Sequence, residues 1–258
     1  IGAGIIGISI ALKLQSEGRQ VLVLDRKGVA AETSSGNAGA FAFADVIPLA
    51  TPGIMRKAPK WLIDPLGPLS LRPAYALKII PWMLRFWRAS WQDKYQAALA
   101  AQASLMDLSK AALERQIDAV NGEAMIRREG QLQLYEGQAE FNASLAGWQT
   151  RQEHGVVYEF LITPEAIAEI QPGIDPRFTH AAYTPEWKNV CDPAEWTKHL
   201  ADKFEKRGGK IAIAAIHSID LQDNSVNLKS DAANYEANQI VVAAGAWSKT
   251  LAQSIGDS

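Results

Sequence analysis

The chain opens Ile1-Gly2-Ala3-Gly4-Ile5-Ile6-Gly7, and the apolar run Val21-Leu22-Val23-Leu24 that follows ends in Asp25. A glycine-rich turn, a helical run over 8–17, a Gly18 stop and a β-rich run closing on a carboxylate form a dinucleotide-binding fingerprint. The first glycine permits a tight strand-to-helix turn, the second lets backbone approach a pyrophosphate, and the third lets the helix lie close on the sheet. Amides at the helix start then face phosphates, and Asp25 would accept hydrogen bonds from an adenosine ribose. The fingerprint needs a strand before its first glycine, of which only Ile1 is present, and 252–258 stops shortly after a strand-to-helix junction. We therefore expect an internal piece of a longer protein.

Length and composition narrow the class. At 258 residues the chain has room for one large or two smaller domains, and 48% hydrophobic content supports a sizeable core. A net charge of −2 gives no general attraction to nucleic acid. The single cysteine, Cys191, rules out an internal disulfide framework and fits a reducing, cytoplasmic compartment; it is expected to be a small buried hydrophobe. His154, His180, His199 and His217 show no ligand spacing, so no metal site is expected.

Along the chain, a small-residue segment covers 28–47, and Pro48, Pro52, Pro59, Pro65, Pro68, Pro73 and Pro81 mark an irregular stretch. Helical pattern is expected over 75–95, with a kink at Pro81, over 96–120 and over 138–154. Strands are expected at 130–135, 156–162 and 180–184. Thr163-Pro164 and Asp192-Pro193 start helices, the second running to Lys206. Strands at 210–221, 224–229 and 234–237 read as a β-meander, and 239–248 as a buried parallel-type strand ending in a small-residue turn.

Two further segments have small residues where a ligand could approach backbone: Glu32-Thr33-Ser34-Ser35-Gly36-Asn37-Ala38-Gly39 and Val241-Val242-Ala243-Ala244-Gly245-Ala246. In this order IGAGIIG (1–7), VLVLDR (21–26), ETSSGNAGAF (32–41), EGQLQLY (129–135) and NQIVVAAGAWS (238–248) resemble the D-amino acid oxidase/dehydrogenase family of FAD-dependent oxidoreductases, in its bacterial D-amino acid dehydrogenase branch. The resemblance implies an α/β fold, a Rossmann-type (doubly wound) FAD-binding domain over 1–47 and 176–258, interrupted by a mixed α+β substrate domain over 48–175. It implies that Gly2, Gly4 and Gly7, with the amides of Ile5 and Ile6, line the FAD pyrophosphate. Asp25 would hold the adenosine ribose with Arg26 beside it. Ser34, Ser35, Asn37, Ala38 and Gly39 would run along the phosphates and flavin. The Ile216 backbone would meet the adenine, and Ala244 and Gly245, with Trp247 nearby, would pass the ribityl and phosphate region.

The activity so implied is oxidative deamination of a D-amino acid by hydride transfer to flavin N5, giving a 2-oxo acid and ammonia, with a quinone as a possible acceptor. No catalytic residue is named. Arg127, Arg128 and Arg177 are the arginines considered for a substrate carboxylate. Oxidation of glycine, sarcosine or another secondary amine is the alternative; a non-catalytic dinucleotide-binding module is a second. In the stretch 75–91, Ile79, Ile80, Trp82, Met83, Phe86, Trp87 and Trp91 interleave with Lys78, Arg85 and Arg88. That pattern suits either a helix packed on the substrate domain or peripheral contact with the inner face of the bacterial plasma membrane.

Overall fold

Alternation of apolar and small residues at the start of the chain produces a short parallel sheet. The computed structural model describes residues 1–56 and 73–256. Leu22–Asp25 pairs in parallel with Lys210–Ile213, Leu22 opposite Lys210 and Asp25 opposite Ile213. Hydrogen bonds extend this pair on its other side. The Gly2 amide donates to the Leu24 carbonyl at 2.8 Å, and Ile1 exchanges bonds with Val241 and Ala243 at 2.6 and 2.7 Å. The lateral order is thus 210–213, 22–25, 1–3, 241–243, the doubly wound arrangement with the glycine turn at the carboxyl ends of its strands.

The strands and helices group into two compact units, Ile1–Ala40 with Gln116–Arg127 and Asn189–Ser258, and Phe41–Arg115 with Arg128–Lys188. These borders lie elsewhere than 47/48 and 175/176, because His180–Thr184 is the middle strand of the second unit's sheet.

In the first unit the helix Ile5–Ser16 buries Gly7, Ile8, Ala11 and Leu12. It packs on the helix Pro193–Lys206, whose Trp196, Leu200 and Phe204 recur every four residues and are almost fully buried. Each such side chain contributes about 1.5–3 kcal/mol by leaving water. That helix starts where expected: the Asp192 carboxylate accepts from the Ala194 and Glu195 amides at 2.7 and 3.1 Å, and Pro193 occupies the first turn. Gln15 ties the two helices together by donating to the Phe204 and Arg207 carbonyls, each at 3.1 Å.

The meander consists of Ile216–Leu221, Val226–Ser230 and Asn234–Ala237, all antiparallel. Residues 210–213 are not part of it, since they join Leu22–Asp25. Its Ile219, Val226 and Leu228 form one core with Leu24 and Ala214, against which Val242 and Leu251 pack. The expected buried strand at 239–248 is instead an irregular segment over 239–244, Val241 being 41% exposed, followed by the one-turn helix Gly245–Trp247. Cys191 is exposed, a departure from the expected buried site: it sits in the bend between the strand Lys188–Val190 and the Asp192 cap.

In the second unit Gln131–Tyr135 and Glu159–Leu161 flank His180–Thr184 in an antiparallel sheet. Tyr135, Phe141, Trp148 and Ala182 form a core on one face, in which the Trp148 indole donates to the Tyr135 hydroxyl at 2.5 Å. Leu161, Ile167 and Ala181 form another, with Pro164–Ile170 capped by Thr163, whose hydroxyl accepts from the Ala166 amide at 3.2 Å.

Of the prolines read as marking irregular chain, Pro59, Pro65 and Pro68 lie outside the described residues. Pro81 lies inside the helix Pro73–Ala89. The next helix, Gln92–Val120, begins four residues earlier than expected, because Arg88 clamps both oxygens of Asp93 at 3.0 and 2.8 Å across the break. Tyr75, Leu77, Ile80, Trp82, Leu84, Trp87 and Trp91 are exposed. Among the described residues no helix is long and apolar enough to cross a membrane.

Candidate functional site

At the carboxyl edge of the parallel sheet the first unit holds a cavity of about 650 Å³, within the range of small-molecule sites. Its floor is the glycine turn. A Cβ on Gly2, whose φ is +107°, would lie 2.3 Å from the Ala243 carbonyl oxygen. One on Gly7 would lie 1.9 Å from the Gly2 oxygen, and one on Gly4 would lie 2.9 Å from the Ser34 hydroxyl. At Gly2 and Gly7 the close atom is backbone and only bare backbone fits, while at Gly4 it is the Ser34 side chain, so helix, turn and strand approach one another as a pyrophosphate cradle requires.

The Ile5 amide at the start of its helix donates to Ser34 Oγ at 3.0 Å. That hydroxyl is delivered by the one-turn helix Thr33–Ser35. An oxygen therefore already sits where the helix dipole favours negative charge, and a hydroxyl that accepts from an amide can still donate to an anion.

Asp25 is more heavily engaged than its motif role suggests. Its Oδ2 accepts from the Ala3 amide at 2.8 Å, and its Oδ1 accepts from the Lys27 and Gly28 amides at 2.8 and 3.0 Å. A carboxylate has about four acceptor positions, so one remains, on Oδ2, for a ribose hydroxyl. Beyond Asp25, Arg26 Nη2 donates to both oxygens of Glu32 at 2.7 Å, and Lys27 Nζ donates to Glu32 Oε1 at 2.7 Å. The hydrogen bonds from Arg26 and then Lys27 hold the Glu32 carboxyl below the usual carboxylate range. The Arg26 guanidinium also stacks 3.9 Å above the centre of the Trp247 ring.

Of the residues expected to serve a cofactor, Gly2, Gly4, Ile5, Ile6, Asp25, Arg26, Ser34, Ile216, Ala244, Gly245 and Trp247 line this one cavity. Gly7 supports it from beneath through its approach to Gly2. Ser35, Asn37, Ala38 and Gly39 are outside its wall. Ser35 Oγ donates to the Glu32 carbonyl, Asn37 bridges the Ser34 carbonyl and the Gly39 amide, and Gly39 packs on Val190. Sequence reasoning missed Ala30, Ala31, Ala214, Ala215, Thr250 and Leu251, which also line the cavity, and it placed Glu32 in a ligand-facing segment without giving it a role. Ala214 and Ala215 were hidden by reading 210–221 as one meander strand, where the structure has two, Lys210–Ile213 and Ile216–Leu221.

The arginines considered for substrate divide differently. Arg128 closes its fork on Glu114 at 2.9 and 2.8 Å in the second unit, and Arg177 stacks on the neighbouring Phe178 ring at 4.7 Å. Among the described residues no cluster of three His, Cys, Asp or Glu side chains could hold a metal.

The glycine cradle, the hydroxyl at the helix start, the open position on Asp25 and the apolar walls at Ile5, Ile6, Val242 and Leu251 fit a dinucleotide with a flat ring system such as FAD. Comparison with known proteins agrees. The family described as DAO, FAD dependent oxidoreductase, matches residues 1–258. The chain is 32% identical over 263 residues to a D-amino-acid oxidase of Bradyrhizobium diazoefficiens, covering 100% of the chain and 62% of that protein. It is 31% identical over 262 residues to a D-amino acid dehydrogenase of Allorhizobium ampelinum, covering 99% and 62%. The chain thus spans a little under two thirds of the length of these relatives. Among solved structures, glycine oxidase from Geobacillus kaustophilus superposes with a TM-score of 0.69 at 16% identity, over 100% of the chain and 57% of that structure; at this identity the likeness concerns the fold. With a family match along its whole length and relatives above 30% identity, the chain belongs to the DAO family of FAD-dependent oxidoreductases.

Proposed function

We propose that this protein carries out FAD-dependent oxidative deamination of a D-amino acid. The observation that carries the cofactor half of this reading is the glycine cradle at Gly2, Gly4 and Gly7, closed around the helix start at Ile5, whose amide donates to Ser34 Oγ. The amides of Ile5 and Ile6 and the Ser34 hydroxyl would hold the pyrophosphate. Asp25 would take one ribose hydroxyl, Arg26 would stand beside it, and the Ile216 backbone would meet the adenine. Ala244, Gly245 and Trp247 would pass the ribityl and phosphate region, with Ser35, Asn37, Ala38 and Gly39 continuing toward the flavin. The chemistry FAD supplies when bound is acceptance at N5 of a hydride from the substrate α-carbon, after which the imino acid hydrolyses to a 2-oxo acid and ammonia. The substrate half is supported by the D-amino acid names of the relatives that match the whole chain.

Quinone as acceptor and peripheral membrane contact belong to the same proposal. The second is supported by the helix Pro73–Ala89, which carries Lys78, Arg85 and Arg88, has no acidic residue, and exposes Trp82 and Trp87 at 53% and 48%. We infer that the first unit acts as the cofactor domain and the second as the substrate domain.

The test is an absorbance spectrum of the purified protein before and after anaerobic addition of D-amino acids, with L-amino acids, glycine and sarcosine as parallel arms. Bleaching of a flavin band by D-amino acids supports the proposal. Bleaching by glycine or sarcosine alone transfers it to amine oxidation, bound flavin that no amine bleaches leaves a binding module, and absence of flavin refutes the cofactor assignment.

A further inference from the structure

The charge lining the dinucleotide cavity is the wrong sign for its proposed ligand. Among the described residues on its wall, the charged side chains are Asp25, Arg26 and Glu32, one cation against two anions, whereas a dinucleotide diphosphate is itself anionic. Arg26 is therefore the counter-charge available on the wall, and Glu32 holds it through a single guanidinium nitrogen, Nη2. A guanidinium has five N–H donors in a fixed fork. Among the described residues the donors on Nε and Nη1 make no hydrogen bond, and Arg26 lines the cavity that the helix start also lines.

Two neighbours suit this arrangement to exchange. Lys27, outside the wall, also donates to Glu32 at 2.7 Å, so the carboxylate remains paired when Arg26 turns away. Trp247 supports the guanidinium plane at 3.9 Å, and a stack on a ring face leaves the in-plane N–H groups free to change acceptor. The contacts are solvent-accessible, the side chains of Arg26 and Glu32 being 39% and 28% exposed, so the pair is weak enough to break.

We propose that Glu32 is an internal competitor for the ligand's diphosphate: Arg26, its plane kept on Trp247, exchanges the Glu32 carboxylate for the diphosphate, and Lys27 keeps Glu32 neutralised. This rests on the reading of the cavity as the dinucleotide site, and it assigns to Glu32 the setting of cofactor affinity.

The test measures binding of ADP, adenosine and FAD to flavin-free protein by titration calorimetry, in wild type, Glu32→Gln, Arg26→Gln, Arg26→Lys and the Glu32→Gln/Arg26→Gln double variant. Circular dichroism checks that each variant is folded. Glu32→Gln should bind ADP and FAD about threefold more tightly, the scale of a freed exposed ion pair, with adenosine unchanged. Arg26→Gln should weaken ADP and FAD binding about tenfold or more, and Arg26→Lys should recover part of the loss. In the double variant the gain from Glu32→Gln should vanish. Unchanged or weaker ADP binding in Glu32→Gln, or a gain that survives without Arg26, overturns the exchange while leaving the cofactor site standing. Wild-type protein that binds neither ADP nor FAD overturns both.

Discussion

Replacing Gly7 by alanine tests whether the cradle is built on close backbone approach. The new methyl would be 1.9 Å from the Gly2 carbonyl oxygen and 3.5 Å from the Ala243 Cβ. Its nearest contact is backbone, which cannot swing away as a side chain could. Restoring even a 3 Å separation demands a displacement of about 1 Å between helix start and turn, an overpacking strain of about 1–3 kcal/mol. Alanine would otherwise be preferred at a helical position by about 1 kcal/mol, which offsets part of that strain. A net loss of up to about 2 kcal/mol corresponds to a fall of up to roughly 8 °C in Tm for a chain of this size. The control is Gly36→Ala, where a Cβ meets nothing within 4 Å. Thermal melts followed by circular dichroism, with FAD affinity measured by flavin fluorescence, should show Gly7→Ala losing stability and affinity together. Equal Tm and equal affinity in the two variants would refute the close-approach argument.

Further outcomes follow from other contacts. In the second unit Glu114 is bound by Arg128 and by Lys188, and these hydrogen bonds lower its pKa to about 2. A depressed carboxylate stabilises the fold above its ordinary titration range, and that stability is lost as pH falls from about 4.5 toward about 2. Because Glu114 is largely solvent-screened, the contribution should be about 1 kcal/mol, visible as a shallower acid-side loss of Tm in Glu114→Gln. Phe204→Ala, at a fully buried side chain, should cost about 3–5 kcal/mol in chemical denaturation; a cost below about 1 kcal/mol would contradict its core position. If the Pro73–Ala89 helix meets lipid, the protein should float with anionic vesicles and Trp82→Ser/Trp87→Ser should stay behind; equal flotation of both would remove that contact.

The parts legible in sequence were those governed by local rules. Proline at the first turn and an acceptor before it marked the starts of Pro164–Ile170 and Pro193–Lys206, since capping involves only neighbours in the chain. The glycine fingerprint likewise carried its geometry with it. Pairing partners were harder: Lys210–Ile213 alternates no differently from a meander strand, and only its distant register with Leu22–Asp25 places it in the parallel sheet. That partnership is set by tertiary packing, as is the role of Glu32, which turns from a loop residue into a cavity wall only when the segment folds back against Arg26 and Lys27.

Asp25 shows how a motif residue can serve the fold before it serves the ligand. Its three backbone bonds join the glycine turn at Ala3 to the loop at Lys27 and Gly28, so it shapes the cavity independently of any ribose. Asp25→Ala would strip an acceptor from all three amides, a loss of about 1–3 kcal/mol measurable in flavin-free protein. Asp25→Asn keeps one acceptor oxygen but points an amide donor at a backbone N–H, so it should recover little of that stability. A residue needed only for ribose would behave otherwise: both variants would lose FAD affinity while flavin-free stability stayed at the wild-type level. Thermal melts of the flavin-free variants separate the two roles, because the structural one acts with the cavity empty.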